Sequence, residues 1–349
     1  MQRHFASVAG NATLLSRLSA ELAGDSISHA YIIEGCRGIG KKTLARELVM
    51  ALACTHRAEK STPLPCRNCA ACRKIASDLC PDVTWVTRPE GKSFLSVDTV
   101  RELRQSIAVV PNDLAFKVYI ICDAHTMNQQ AQNALLLTLE EPPPFVLFLL
   151  LTEDAGALLE TIRSRAPILR MQPVNDREMR DFLLSPERDP KLLRAARDLS
   201  ENAPDDFAAL IATAGGAIGK ALELLDEKKR EPMLADRAAI SQAVILLATR
   251  TRNDELLSAI LSFGSNREEV TERLLLLRLA LRDLLLLGLS ESAPLLFYTD
   301  RDQAIELSER FTTARLLAAQ SAIDAAIDAL VENANLRLTE IQLLTELIR

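Results

Sequence analysis

Gly35-Cys36-Arg37-Gly38-Ile39-Gly40-Lys41-Lys42-Thr43 has the spacing G-x-x-x-x-G-K of a phosphate-binding loop. In such a loop the glycines let backbone N–H groups wrap the phosphates, and the lysine supplies charge. The next position ordinarily carries a hydroxyl that holds Mg²⁺. Here it is Lys42, an ammonium that cannot ligate a metal and would lie close to the place Mg²⁺ should occupy. A second partner for the metal is expected at the end of another apolar strand, and Asp123 stands there, after Val118-Tyr119-Ile120-Ile121-Cys122. The position that should activate water is Ala124. Positioned acid–base groups alone give roughly 10²–10⁴-fold in rate, so losing a metal ligand and a base leaves nucleotide binding without effective turnover. The candidate binding set is Gly35, Gly38, Gly40, Lys41, Lys42, Thr43 and Asp123, taking ATP at a site whose Mg²⁺ position is degraded.

A second constellation is sulfur. Cys66-x2-Cys69-x2-Cys72 follows Cys54 after eleven residues, and Cys54, Cys66, Cys69 and Cys72 are four thiolates suited to a closed, structural Zn²⁺ site. Free thiols without metal are the alternative. Cys80 is a fifth candidate, an alternate ligand or a non-ligand, while Cys36 and Cys122 read as loop or core residues.

The elements that must position these groups follow from the apolar pattern. Short β-like runs at Tyr31–Glu34, Val83–Val86, Val118–Cys122, Phe145–Leu151 and Ile168–Met171 alternate with helical patterns. That alternation predicts a mostly parallel α/β sheet covered by helices. Tyr31–Glu34 leads into the glycine loop, and Lys41–Ala53 continues as a helix, the context the motif requires. Pro173 closes the α/β region. Three short helices are expected over Asp176–Leu184, Pro190–Leu199 and Asp205–Ala214, then a Gly215-Gly216 break and a fourth helix from Ala217 toward Lys229. From Asp236 to Arg349 the pattern is almost continuously amphipathic helix. The expected domains are 1–172 with a cysteine module at about 54–80, 173–230, and 231–349.

Composition sets the outer bounds. Hydrophobic residues make up 48%, charged residues 25% and aromatics only 4%, which describes an ordinary globular chain biased toward helix. The longest apolar run is far short of the roughly 20 residues of a membrane span, and no basic-then-apolar leader opens the sequence, so a cytoplasmic location is expected. A net charge of -6 provides no global attraction to nucleic acid.

Taken in order, His29-Ala30-Tyr31, the glycine loop, the cysteine cluster, Asp123-Ala124-His125, Asn133 to Pro143 (NALLLTLEEPP) and Thr161-Ile162-Arg163-Ser164-Arg165 resemble bacterial DNA polymerase III clamp-loader subunits. Within that family the pattern is most similar to the delta-prime type. The motifs cover residues 1 to about 172, and beyond them the likeness is architectural. Asn133–Glu141 alone would be just an amphipathic helix stopped by prolines. The resemblance implies an AAA+ P-loop sheet with an inserted zinc module, a small helical lid and an all-α collar that joins subunits into a hetero-pentamer. It implies gamma/tau and delta subunits as partners, with the sliding clamp and primed DNA reached through the complex. It also implies that Arg165 is an arginine finger completing a neighbour's ATP site in trans, a role worth about 10³–10⁵ in rate. Ala166 departs from the cysteine usual after that arginine, and a plain surface arginine is the alternative for Arg165.

Another departure concerns the lid. Family ATPases open the last lid helix with Gly-Ser-x-Arg, and the matching Gly216-Ala217-Ile218-Gly219 puts Gly219 in place of that arginine, with Lys220 adjacent but turned elsewhere. The resemblance thus implies a stator-like member of a nucleotidyltransferase complex, its own ATPase activity absent or weak. A gamma/tau-type ATPase subunit is the alternative; it would want a hydroxyl at 42, an acid at 124, an arginine near 219 and commonly a tail after the collar. A stand-alone P-loop enzyme such as a nucleotide kinase is a further alternative, against which the long helical third argues.

Overall fold

The computed structural model describes residues 4–59, 62–88, 94–186, 189–249 and 253–348. Residues 250–252 and Arg349, inside the expected helical region, lie outside that set. Two units emerge, Met1–Met179 with Gly216–Lys220, and Arg180–Gly215 with Ala221–Arg349.

The first unit is built on five parallel strands, β1 (Ala30–Glu34), β2 (Val83–Val86), β3 (Lys117–Ile121), β4 (Val146–Thr152) and β5 (Ile168–Arg170), in the order β2-β3-β4-β1-β5. Central parallel strands are covered on both faces and therefore read as continuous apolar runs, which is why they were visible in the sequence. Their alternation sorts side chains into two cores. Tyr31, Ile33, Val118, Ile120, Leu147 and Leu149 pack on one face against helices α1 (Ala12–Ala23) and α2 (Lys41–Ala53). On the other face Ala30, Ile32, Tyr119, Ile121, Phe148 and Leu150 pack against a second set of helices. The register Ala30↔Phe148 and Tyr119↔Phe148 keeps like faces together.

After α2 comes α3 (Ala70–Ala76), inside the cysteine module. The second core is completed by α4 (Val97–Ile107) and α5 (Gln129–Glu140), and a four-residue helix α6 (Glu160–Arg163) precedes β5. The pairings Glu34↔Thr152 and Ile121↔Leu150 bring the C-terminal ends of β1, β3 and β4 to one edge of the sheet. Ligands of open α/β sheets bind outside those ends.

Downstream lie α7 (Asp176–Leu183), α8 (Pro190–Asn202) and α9 (Pro204–Ala214), within a few residues of the expected helices. The single helix expected from Ala217 toward Lys229 is instead two, α10 (Ile218–Leu224) and α11 (Glu227–Thr249). Asp226 makes the break: its carboxylate accepts from Lys228 N at 3.1 Å, starting a new helix that an uninterrupted one could not accommodate.

The rest of the second unit is helical among the described residues: α12 (Asn253–Leu261), α13 (Arg267–Leu287), α14 (Arg301–Ser308), α15 (Thr313–Val331) and α16 (Leu336–Ile348). Its core runs along Val244, Leu247, Leu277, Leu281, Leu284 and Ile323. A buried polar knot interrupts it. Asp283, fully buried, accepts from the backbone N–H groups of Leu296 and Phe297 at 2.8 and 2.6 Å, and Arg237 lies over the Phe297 ring at 4.6 Å. Burial pulls the Arg237 guanidinium down to about 10, against the opposing charge of Asp283. No described helix is long and apolar enough to cross a membrane.

Candidate functional site

The glycine loop leaves β1 and enters α2 as its sequence demands. Gly38 and Gly40 have φ of 78° and 109°, a region in which a side chain would be strained, and Gly40 caps α2. At the root of the loop, Glu34 accepts from Arg170 Nε at 2.8 Å and from Ala155 N at 3.0 Å, joining three strand ends. Lys41 Nζ donates to Gly35 O at 2.6 Å and Cys36 O at 3.0 Å, so the ammonium lies folded across the loop. Burial lowers the Lys41 pKa, while Glu153 and Asp123 act in the opposite direction.

A cleft opens beside this loop, lined by Arg37, Gly38, Gly40, Lys41, Lys42, Arg88, Asp123, His125, Thr126, Glu153 and Gly219. Lys42 is exposed and shares it with Asp123, the residue expected to hold Mg²⁺. Asp123 Oδ2 faces Arg88 Nη2 at 3.4 Å. Ala124 is fully buried in the core and offers no base. Gly219 N donates to Gly38 O at 2.7 Å, and a Cβ at 219 would stand 2.9 Å from that oxygen, so only glycine permits this approach.

Neither Thr43 nor Gly35 lines the cleft, although both belong to the motif. Gly35 supports it sterically, since a Cβ there would meet Ile39 Cγ2 at 3.0 Å and Met171 at 3.3 Å. Sequence reasoning missed Arg88 and Glu153. A charged residue just beyond a predicted parallel strand was the available signal: Arg88 follows β2 by two residues, and Glu153 follows β4 directly.

The cysteine cluster forms where the chain leaves α2. Cys54, His56, Cys66 and Cys69 place their ligand atoms within 4.8 Å of one another. Cys72 Sγ lies 4.0 Å from Cys66 Sγ and also points at Met50 O, 3.7 Å away. Sulfur ligands of a tetrahedral site with Zn–S near 2.3 Å stand about 3.8 Å apart, so the donor types suit that metal and the gathered atoms lie within about 1 Å of the spacing it needs. Cys69 N donates to Cys66 Sγ at 3.4 Å and Cys72 N to Cys69 Sγ at 3.5 Å, N–H···S bonds that favour thiolates. Although burial opposes it, backbone donation from Cys72 and Thr55 draws Cys69 down to about 6, whereas burial pushes Cys72 up. His56, absent from the sequence-derived set, has its pKa raised by its hydrogen bond to Cys66 and by Glu59. Cys80 is buried outside the close set. Arg67 binds the module to α2, donating to the buried Glu47 at 2.7 Å.

Arg165 follows α6 on a segment steadied by Gln132, whose amide bonds Met127 O, Ala157 O and Leu159 N. Its guanidinium reaches Glu140 Oε1 and Thr161 O, both at 2.9 Å, and is about a third exposed. Ala166 is buried in the second core, where its small side chain fits.

A family model described as "DNA polymerase III, delta subunit" matches residues 10–175. The DNA polymerase III subunit gamma of Buchnera aphidicola subsp. Acyrthosiphon pisum is 36% identical over 181 residues, covering 52% of this chain and 48% of that protein. The Escherichia coli DNA polymerase III subunit tau is 31% identical over 256 residues, covering 73% of this chain and 37% of that protein. The chain thus spans about half or less of the length of these curated relatives. Among solved structures, a DNA polymerase III gamma subunit-related protein from Thermotoga maritima aligns with 95% of this chain and 98% of its own, at 21% identity and a TM-score of 0.39.

Proposed function

We propose that the chain is a clamp-loader subunit of the AAA+ type, in DNA polymerase III, that does not itself turn over ATP, a reading supported by the family model over residues 10–175 and by the similarity to gamma and tau subunits. The curated relatives are named gamma or tau, which favours a gamma/tau lineage over the delta-prime type to which the sequence motifs point. One arrangement carries the non-hydrolysing reading: Lys42 shares the cleft with Asp123, Asp123 faces Arg88, and Ala124 supplies no base. A stator-like, delta-prime role is the second reading, favoured by the same departures together with the retained Arg165.

In this role the chain's work is done on its neighbours. Arg165 offers a planar guanidinium to the phosphates of an ATP held by the adjacent subunit, exchanging Glu140 for phosphate oxygens as the ring closes. Residues 173–230 act as the lid and 231–349 as the collar of a hetero-pentamer with gamma/tau and delta subunits, the sliding clamp and primed DNA being reached through the complex. Cys54, Cys66 and Cys69, with His56 or Cys72, hold a Zn²⁺ that is structural, since four protein ligands leave no open position for catalysis.

ATP hydrolysis by the isolated chain, with and without DNA and clamp, tests the reading. A rate at background supports it. Turnover comparable to that of an active loader subunit would sink the non-hydrolysing role and leave an ordinary gamma/tau ATPase.

A further inference from the structure

Mg²⁺ does not fit the cleft that should contain it. Two groups normally hold the cation, a hydroxyl at the start of the helix and a strand-end carboxylate. Here the first is the exposed Lys42, and the second, Asp123, already faces Arg88 at 3.4 Å. The neighbouring hydroxyl, Thr43, is turned about 100° around the helix and does not line the cleft. A divalent cation placed beside Asp123 would meet two like charges and find one shared ligand.

The same groups balance the charge in another way. An ordinary site combines a neutral hydroxyl, a doubly charged metal and one carboxylate, for a net charge of one. Lys42, Arg88 and Asp123 combine two cations and one carboxylate, for the same net charge. Around them the cleft adds Lys41 and Arg37 against the single acid Glu153. The backbone that wraps phosphates is intact, with Gly38 and Gly40 in the conformations the loop needs.

We propose that this cleft binds a nucleoside polyphosphate without a divalent cation, the Lys42 ammonium and the Arg88 guanidinium standing in for the metal's charge. The inference rests on the reading above of the cleft as a nucleotide site. Lys41 leaves the carbonyl oxygens of Gly35 and Cys36 to meet the phosphates, and Lys42 takes the side from which Mg²⁺ would have bridged them. Because cations on exposed side chains do the work, affinity falls with ionic strength. The bound polyphosphate lacks the metal that polarises its terminal group, and so binding occurs without commitment to hydrolysis.

The test is a titration of the full chain with a fluorescent ATP analogue, once in EDTA and once in excess Mg²⁺. It is run on the wild type, Lys42→Thr and Lys41→Ala, each checked for unchanged folding by circular dichroism. The wild-type Kd should differ by less than about twofold between the two buffers, while Lys42→Thr should bind about tenfold more weakly in EDTA and gain affinity when Mg²⁺ is added. Lys41→Ala should lose binding in both. A wild type that needs Mg²⁺ overturns the proposal, and so does a folded wild type that binds in neither buffer. Hydrolysis by a wild type whose binding ignores EDTA would instead defeat the non-hydrolysing role and leave this inference standing.

Discussion

The two units differ in what their polar groups face. In the α/β unit, polar groups gather at strand ends and loop crossings and face a cleft or one another at ligand-binding distances, as with Lys41, Asp123, Cys66 and Cys69. In the helical unit the fully buried Asp283 instead accepts from backbone N–H groups of the Leu296–Tyr298 segment, partners within its own core. Parallel strands end with unpaired backbone groups pointing one way, and a ligand can use them. A helix satisfies its own backbone, so a buried charge on it must find a side-chain or loop partner or bear the cost. The first unit is thus the place to look for ligand effects beside effects on stability, and the second for the stability effects of buried charge.

Metal removal should separate the units most strongly. Zinc analysis is expected to give about one ion per chain, and Cys66→Ser with Cys69→Ser should remove it and cost several kcal/mol, as structural zinc sites contribute to folding outright. At roughly 2–4 °C per kcal/mol the melting temperature should drop by about 10 °C or more. Cys72→Ser and His56→Ala decide the fourth ligand, because only one of them should shed the metal. A folded, metal-free wild type would end the contrast between a ligand-built unit and a packing-built one.

Arg165→Ala tests whether the α/β unit also acts outside itself. In a reconstituted loader the neighbouring site should lose about 10³-fold in ATP hydrolysis with assembly intact. The chain's own melting should barely move, since the Glu140 pair it breaks is substantially exposed and worth under about 1 kcal/mol. Unchanged hydrolysis would reduce Arg165 to a surface arginine paired within its own chain.

What the sequence disclosed follows the same division. Strands β1, β3 and β4 were readable to within a residue because burial on both faces leaves no polar alternation to confuse them, while the edge strand β2, with Thr84 exposed, was readable from its β-branched and aromatic residues. The loop, Asp123, Ala124 and the gathering of Cys54, Cys66 and Cys69 were readable because spacing along the chain sets their placement. His56, Arg88 and Glu153 were not: each is an ordinary polar residue until folding brings a distant segment beside it. Gly219 was noticed for the arginine it replaces, yet its donation to Gly38 O depends on a contact across some 180 residues of sequence. In the helical unit the long helices were plain from their faces, while the Asp226 break was hidden because an aspartate in a charged run gives no period signal.

Two carboxylates of equal burial sharpen the comparison through pH. Asp82, in the α/β unit, is 2% exposed and accepts from Asn112, Asp113 and Leu114 N–H groups at 2.8, 2.6 and 2.8 Å. Burial would raise its pKa, but those donors and Lys117 together hold it below the usual range. A depressed folded pKa gives stability that is present above the unfolded value, near 4, and lost as pH falls through the folded one. Asp82→Asn should therefore cost about 2–3 kcal/mol at neutral pH by urea unfolding, with the gap to wild type narrowing in acid. A gap that stays constant with pH would assign the loss to packing rather than to the charge.

Glu340 should behave in the opposite sense and more weakly. It is also 2% exposed, but on α16, where Oε2 meets Arg337 at 2.9 Å and Oε1 has no hydrogen-bond partner among the described residues. Burial raises its pKa, and the Arg337 bond only partly offsets that. Because the folded value exceeds the unfolded one, protonation favours the folded state. This stabilisation is complete below the unfolded pKa and disappears as pH rises through the folded value. At neutral pH the ionised Glu340 is thus a cost, and Glu340→Gln should leave the protein equal to or more stable than wild type by under about 1 kcal/mol, since the exposed Arg337 loses little. The difference should vanish as the wild type is titrated toward pH 4. A glutamine variant clearly less stable at neutral pH would mean that the Arg337 pair outweighs the desolvation, and that Glu340 is held by its charge as Asp82 is.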